Sequence, residues 1–465
     1  MPDQASDRRP VHGPPRRESA QKAGLTRGQL TALIVGLAVI VAVALTFPAR
    51  VWTGLVYFTW AVFLIIATWR LLVILTPRGA APVARLDVLP RYTVVAALYD
   101  EAAMLPQLVE RLSRLDYPST RLQGLIVLEA DDQATLSAAR SLPLPTWMAI
   151  LVVPADTPGP RTKPRALNHA LNHVTGDLIT VYDAEDDPHP AQLREAAARF
   201  QRPGHDIACF QAPLRIRVAP GRNGFLERQF AAEYASLFEV TLPAMARLGL
   251  PFPLGGTSNH FRADILRQVG GWDPWNVTED ADLGYRLWKR GWRLGVLTRA
   301  TWESPPTDLD QWLPQRTRWL KGYMQTWGVH MRAPWRLGLR GFWSLQITTG
   351  VAILSAAVHA LTAAWMIMLG MTAATKGLSP ATPPIAVLVL AAGVLAAWLT
   401  CWLGLRRAGG RYRLIDAVSA PTYWSLTTVA FFQAAWRLVT QPYAWDKTPH
   451  EPDEATVPAS GREAA

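Results

Sequence analysis

The stretch GDLITVYDAEDDP (176–188) opens as an apolar run and closes on clustered acids and a proline. An apolar run of that length, bounded by turn residues, suits a strand buried on both faces. The same pattern appears three times before it. RYTVVAALYDE (91–101), LQGLIVLEADD (122–132) and MAILVVP (148–154) read as strands. MLPQLVERLSRL (104–115), TLSAARSL (135–142) and KPRALNHALNHV (163–174) have helical period and fall between them. Strands alternating with helices predict a parallel α/β sheet. In such sheets ligands bind beyond the carboxyl ends of the strands. Tyr99, Glu101, Asp131, Asp132, Asp183 and Glu185 all fall at those ends.

An Asp-x-Glu at a strand end suits a divalent cation. Mg²⁺ is usually held by one or two carboxylates plus substrate phosphates. A polar turn closed by Pro188 and Pro190 explains the same residues equally well.

NVTEDADLGYRLWKRGW (276–292) reads as a helix capped by Thr278. Glu279, Asp280 and Asp282 sit in its first turn, Lys289 and Arg290 in its last, and Gly291 ends it. HALNH (169–173) puts two histidines at i and i+4, but no third ligand is evident and Ala170 stands where a metalloprotease has Glu. The Asn276-Val277-Thr278 sequon falls at a helix start and is read as chance.

The chain has 465 residues. Five stretches lack Asp, Glu, Lys and Arg: 29–47, 51–69, 342–375, 377–405 and 417–436. A span needs about 20 mostly apolar residues, and the 342–375 stretch is long enough for one span plus an interfacial helix. The expected organisation is a disordered basic tail (1–28), two transmembrane helices (29–76), a soluble domain (77–341), transmembrane and interfacial helices (342–440) and a polar tail (441–465). Arg8, Arg9, Arg16, Arg17, Lys22 and Arg27 precede the first span and only Arg50 follows it, which places the N-terminus and the soluble domain in the cytoplasm of an inner membrane. The net charge of +11 is then mostly membrane-facing. No nucleic-acid motif accompanies it. Cys209 and Cys401 lie in different parts of this plan and predict neither a disulfide nor a zinc site.

Four motifs together resemble the membrane-bound family 2 inverting glycosyltransferases related to cellulose synthase. YDAEDDP (182–188) resembles the D-x-D motif, NVTEDADLG (276–284) the T-E-D motif, QRTRW (315–319) Q-x-x-R-W, and KPRALN (163–168) the family's Lys-Ala-x-x-Leu-Asn element. They occur in the family's order, and the resemblance covers roughly residues 50–450. It implies an α/β domain of the GT-A type, Rossmann-like, inserted between transmembrane helices. It also implies a nucleotide-sugar donor, UDP-glucose by default, and Mg²⁺ or Mn²⁺ on Asp183 and Glu185. Glu185 departs from the usual second Asp, and Asp186 is a possible substitute.

The same resemblance assigns Tyr99, Glu101 and Asp131 to the nucleoside, Lys163 and Asp183 to the phosphates, and Asp280, beside Glu279, to the general base. Arg316 and Arg318 would clamp the pyrophosphate bidentately. Gln315, Trp319 and the loop PLGGTSNHFR (253–262), with Gly256 and Thr257, would meet the acceptor. A tight turn explains that loop as well, and packing explains Trp319 as well. YAWDKTPHE (443–451) looks like a further family element; Lys447 can serve the site only if the tail is cytoplasmic. The acceptor is expected to be a growing β-linked glycan or, alternatively, a membrane lipid. A transporter is disfavoured, because the apolar stretches carry no ionisable residue but His359.

Overall fold

The computed structural model describes residues 10–21, 25–79, 86–202, 206–218, 224–377 and 384–444. The expected element at Lys447 and the chain ends lie outside them. The predicted strands form as β1 (Tyr92–Leu98), β2 (Leu122–Glu129), β3 (Met148–Val153) and β4 (Leu178–Tyr182). Further short strands follow: β5 (Asp187–Pro188), β6 (Ile207–Gln211), β7 (Leu214–Ile216), β8 (Asn259–Arg262), β9 (Arg293–Val296) and β10 (Thr301–Glu303). The main sheet has the order β3-β2-β1-β4-β8-β6-β9. Its first four strands are parallel, as their pattern predicts. β8 runs antiparallel to both β4 and β6, so the sheet is mixed rather than wholly parallel. A small sheet, β5-β10-β7, stands beside the carboxyl ends.

Alternation along the strands divides the core. Val94, Ala96, Ile126 and Leu128 face one side with Leu105, Leu108 and Leu193. Val95, Val127, Ile179 and Val181 face the other with Ala166, Leu167 and Ala170. A period-2 side-chain pattern buried on both faces explains why these strands read as continuous apolar runs. The helices in chain order are α1 (Arg27–Thr46), α2 (Pro48–Leu75), α3 (Leu105–Ser113), α4 (Gln133–Ser141), α5 (Lys163–Leu171), α6 (Gln192–Phe200), α7 (Phe225–Ser236), α8 (Leu242–Arg247), α9 (Ala263–Gln268), α10 (Glu279–Lys289), α11 (Leu309–His330), α12 (Gly338–Leu345), α13 (Val351–Lys376), α14 (Pro384–Arg407) and α15 (Leu414–Thr440).

Among the described residues, four helical runs are long and apolar enough to cross a membrane: Arg27–Thr46, Pro48–Leu75, Pro334–Ala364 and Val387–Arg407. The fifth charge-poor stretch, in α15, is not one of them. Both ends of α15 rest on the soluble domain. Asp416 pairs with Arg228 of α7 at 2.6 Å, while Lys321 and Gln325 of α11 donate to the carbonyls of Ala444 and Pro442 at 2.9 Å each. Ala417, Ala420, Tyr423, Ala430 and Ala434 are buried; Ile415, Val418, Val429, Phe432, Trp436 and Val439 are exposed. Helical spacing puts the exposed set on one stripe.

Residues 10–21 depart from the expected disorder. Arg-Pro-rich composition argues against a core, yet this segment needs none, because it borrows one. Ser19 Oγ and Ala20 N donate to the two oxygens of Asp273 at 2.8 and 2.6 Å. Arg332 donates to the Ser19 carbonyl at 2.9 Å, and Glu18 pairs with Arg290 at 2.7 Å. Asp273→Ala is expected to free this strap and speed tryptic cleavage at Arg16–Arg17 several-fold in the folded chain; cleavage at an unchanged rate would show that other contacts hold it.

Candidate active site

The functional side chains converge because the carboxyl ends of β1, β2 and β4 meet the start of α10. Two residues there hold left-handed backbone without being glycine: Asp100 after β1 (φ 53°) and Ser258 before β8 (φ 55°). Such conformations cost of order 1–3 kcal/mol each and cluster at functional sites. A cavity of about 2150 Å³ opens over this edge. Tyr99, Glu101, Lys163, Asp183, Glu185, Gly256, Thr257, Glu279, Asp280, Gln315, Arg316, Arg318 and Trp319 all line it, so among the described residues the structure brings together all but one of those to which the resemblance assigns a donor, acceptor or base role. The exception is Asp131. It stays at the rim, paired with Arg161, which lines the cavity itself.

Lys163, the first residue of α5, ties the site together. Its ammonium pairs with Asp183 and donates to the Gly256 carbonyl at 2.8 Å. Burial by itself lowers a lysine, but Asp183 and Glu279 more than offset it, so Lys163 is held above its ordinary value and stays charged. Gly256 lies between two carboxylates. A Cβ there would come 3.4 Å from Asp280 Oδ2 and 4.0 Å from Asp183 Oδ2.

At α10 the predicted boundaries hold, with Glu279, Asp280 and Asp282 in the first turn. The expected Thr278 side-chain cap does not form. Thr278 instead donates to Asn276 Oδ1 at 3.4 Å, and Gly322 of α11 presses so closely on it that a Cβ there would collide. The three acids then diverge. Asp282 points inward and is fully buried between Arg286 Nε (2.5 Å) and His330 Nε2 (2.9 Å). Burial alone would raise its carboxyl, but Arg286 and His330 bring it down to about 2. Asp280 turns toward the cavity, and its Oδ1 accepts from the Ala281 amide at 2.8 Å. Burial pushes it up to about 6. Burial and the neighbouring Asp280 push Glu279 up to about 8. Arg318 acts on both and favours their charged forms. Two adjacent carboxyls pushed apart in this way can divide acid and base roles.

Several expected roles change. Asp186 is fully buried; it accepts from the Asp183 amide at 2.8 Å and from the Thr257 hydroxyl. Through that one oxygen, Oδ2, it fixes the turn, and its Oδ1 is buried without a hydrogen bond. Asp132 caps α4 through the Thr135 amide at 3.1 Å. Arg316 is not a pyrophosphate clamp: its fork is spent on Glu233 and on Tyr423 Oη at 2.8 Å, and its guanidinium lies 4.6 Å from the Trp319 ring centre. One face of Trp319 is thus covered.

Glu303 was not legible as a site residue. It sits on the short strand β10, lines the cavity, and joins Asp183, Glu185 and Asp186 electrostatically. Burial, then those neighbours, raise its carboxyl well above the usual range, and its Oε1 is buried without a hydrogen bond. Among the described residues no three His, Cys, Asp or Glu side chains form a complete metal site. The donor set nonetheless fits a hard cation completed by phosphate oxygens. It offers oxygen ligands only, more acid than Lys163 can neutralise, and an open gap at Gly256. His169 and His173, with ring centres 5.1 Å apart, gain no third ligand.

Breaking a buried ion pair by removing one partner costs about 3–5 kcal/mol. Asp282→Ala should therefore destabilise the full chain by about that much in denaturant unfolding; a loss under about 1 kcal/mol would remove Asp282 as the anchor of α10.

Residues 90–322 match the family described as glycosyltransferase-like family 2. The β-monoglucosyldiacylglycerol synthase of Synechocystis is 27% identical over 264 residues, 54% of this chain and 53% of that protein. A poly-β-1,6-N-acetyl-D-glucosamine synthase of Staphylococcus aureus is 24% identical over 247 residues, 52% of this chain and 56% of that one. The chain spans about half the length of the curated relatives it matches. Among solved structures, a mannosyltransferase from Pyrobaculum calidifontis in complex with GDP-mannose and Mn²⁺ shares the fold, with a TM-score of 0.52 at 19% identity, covering 86% of this chain and 99% of that one. With a GT-A-like mixed sheet and the family match running from β1 into α11, the chain belongs to the family 2 glycosyltransferases.

Proposed function

We propose that this protein is a membrane-bound inverting glycosyltransferase that moves one sugar from a nucleotide sugar to a membrane lipid. One observation carries the reading. The cavity that holds Asp183, Lys163 and Asp280 continues between α2, α13 and α14, where Val62, Phe63, Ile66, Leu361, Val394 and Ala397 line it. An apolar wall accepts a hydrocarbon chain and offers sugar hydroxyls no partners. With four spans, and the tail at 441–444 held against α11, both ends of the described chain would lie on the side of the soluble domain. The arginines before α1 favour the cytoplasm as that side. α15 then lies in the membrane interface with its apolar stripe toward lipid.

The donor diphosphate would rest against Lys163 and Asp183, with Tyr99 and Glu101 at the nucleoside. Asp183 and Glu185 would hold Mg²⁺ or Mn²⁺, with Glu303 behind them. Such an ion supplies charge stabilisation for the departing diphosphate. Asp280 takes the proton of the acceptor hydroxyl. That oxygen bonds to the anomeric carbon from the face opposite the diphosphate. The bond to the diphosphate breaks and its electron pair leaves with the nucleotide. A second reading, synthesis of a β-linked polysaccharide, is favoured by Gln315-Arg316-Thr317-Arg318-Trp319, although Arg316 covers one face of Trp319.

Asp280→Asn should lower transfer by 10²-fold or more while nucleotide affinity, measured with Mn²⁺ and again after chelation, matches wild type in both states. General-base catalysis is worth about that much. Because burial holds Asp280 near 6, its base form is lost as pH falls through that value. Wild-type kcat/KM should therefore drop about tenfold per unit below about pH 6. Asparagine turnover within a few-fold of wild type, or a flat profile between pH 5 and 7, would remove Asp280 from the base role.

A further inference from the structure

A set of hydrogen-bond donors lines the cavity where α2, α13 and α14 bound it. Arg70 belongs to α2, near the end that finishes at Leu75, and its side chain lines the cavity. Among the described residues it makes no hydrogen bond or ion pair. The groups acting on it electrostatically are Cys401 and Tyr412, with no carboxylate among them. His359 of α13 and Trp398 of α14 line the same cavity. His359 bonds Ser355 through Nε2 at 3.1 Å and stacks on Trp424, which leaves Nδ1 buried without a partner. Trp398 Nε1 and Tyr412 Oη are also buried and unpartnered.

Buried polar groups in folded chains are normally satisfied, and each exception calls for an explanation. An arginine near a helix end can reach the interface by extending along the lipid surface. That would account for an arginine facing lipid, but Arg70 faces the cavity. A guanidinium and an indole N–H only donate; a phenol can donate too. Such a set asks for an acceptor-rich anion, and phosphate matches the guanidinium fork. The surrounding walls are apolar, and in the topology proposed above the end of α2 would lie near the head groups of the leaflet facing the soluble domain.

We infer that Arg70, with Trp398 and His359, forms a docking site for the phosphate of a membrane lipid entering the acceptor chamber sideways between α2, α13 and α14. The inference rests on the reading that this chamber admits a lipid acceptor. It narrows that acceptor to lipids with an anionic phosphate head. A neutral head would leave the arginine unpaired in a low-dielectric site, which is costly.

The test uses the full chain, delipidated in detergent, with phosphatidylglycerol, diacylglycerol of the same acyl chains, and soluble glycerol phosphate as probes. Phosphatidylglycerol is expected to bind at least tenfold more tightly than diacylglycerol. Arg70→Gln is expected to erase that difference, and Arg70→Lys to keep part of it. Soluble glycerol phosphate should not compete at millimolar concentration. Equal binding of the two lipids, an unchanged ratio in Arg70→Gln, or full competition by glycerol phosphate would each overturn the lipid-phosphate site. Nucleotide-sugar hydrolysis in the same preparation separates the two readings. Its absence from the wild type counts against glycosyl transfer, whereas the lipid ratio speaks to Arg70 alone.

Discussion

Lys163 is one ammonium set among more carboxylates than it can neutralise. It pairs with Asp183, is drawn by Glu279, and holds the Gly256 carbonyl, so three separate elements are pinned at one atom. Around it Asp186, Glu303, Glu279 and Asp280 are all pushed above the usual carboxylate range, burial being the first cause each time. A site with that excess of acid costs stability on its own. In the function proposed, cations and a diphosphate arriving together would relieve that cost, and donor binding would then be coupled to metal binding. α10 can hold its acids toward the gap because Asp282, Arg286 and His330 lock its other face in the interior.

The first four strands were legible because both their faces are buried, so each reads as an apolar run that stops where the polar edge begins. The edge acids were legible for the same reason. β5 to β10 were not, since strands of two to five residues carry too little pattern to separate from turns. That cost the reading of β8, which makes the sheet mixed, and of Glu303, which reaches the site from β10. Arg316 looked like a clamp because its partner, Glu233, is 83 residues away in sequence. The segment 10–21 looked disordered because its anchor, Asp273, lies on a distant loop. In both cases local composition was read correctly, and a long-range charge decided the structure.

The apolar helices share one cavity with the candidate site. α15 closes the lower wall of the cavity through Tyr423, which donates to Glu233 at 2.8 Å and accepts from Arg316 and Trp312. Its charge-poor sequence resembles a span, but its two ends are bonded to α7 and α11. The strap at 10–21 reaches Asp273 just ahead of the T-E-D turn and accepts, at the Gln21 carbonyl, from Tyr443, which itself lines the cavity.

The central claim is that donor phosphates and catalytic base face each other across Gly256. Gly256→Ala tests it most directly, because a methyl there meets Asp280 and Asp183 at ordinary van der Waals distance and so should leave the fold intact. The measurement is the turnover number for sugar transfer, taken with the nucleotide diphosphate dissociation constant on the same folded sample. The account predicts turnover reduced at least tenfold with nucleotide affinity changed less than threefold. Turnover equal to wild type would show that the sugar is not handled in the gap between Asp183 and Asp280.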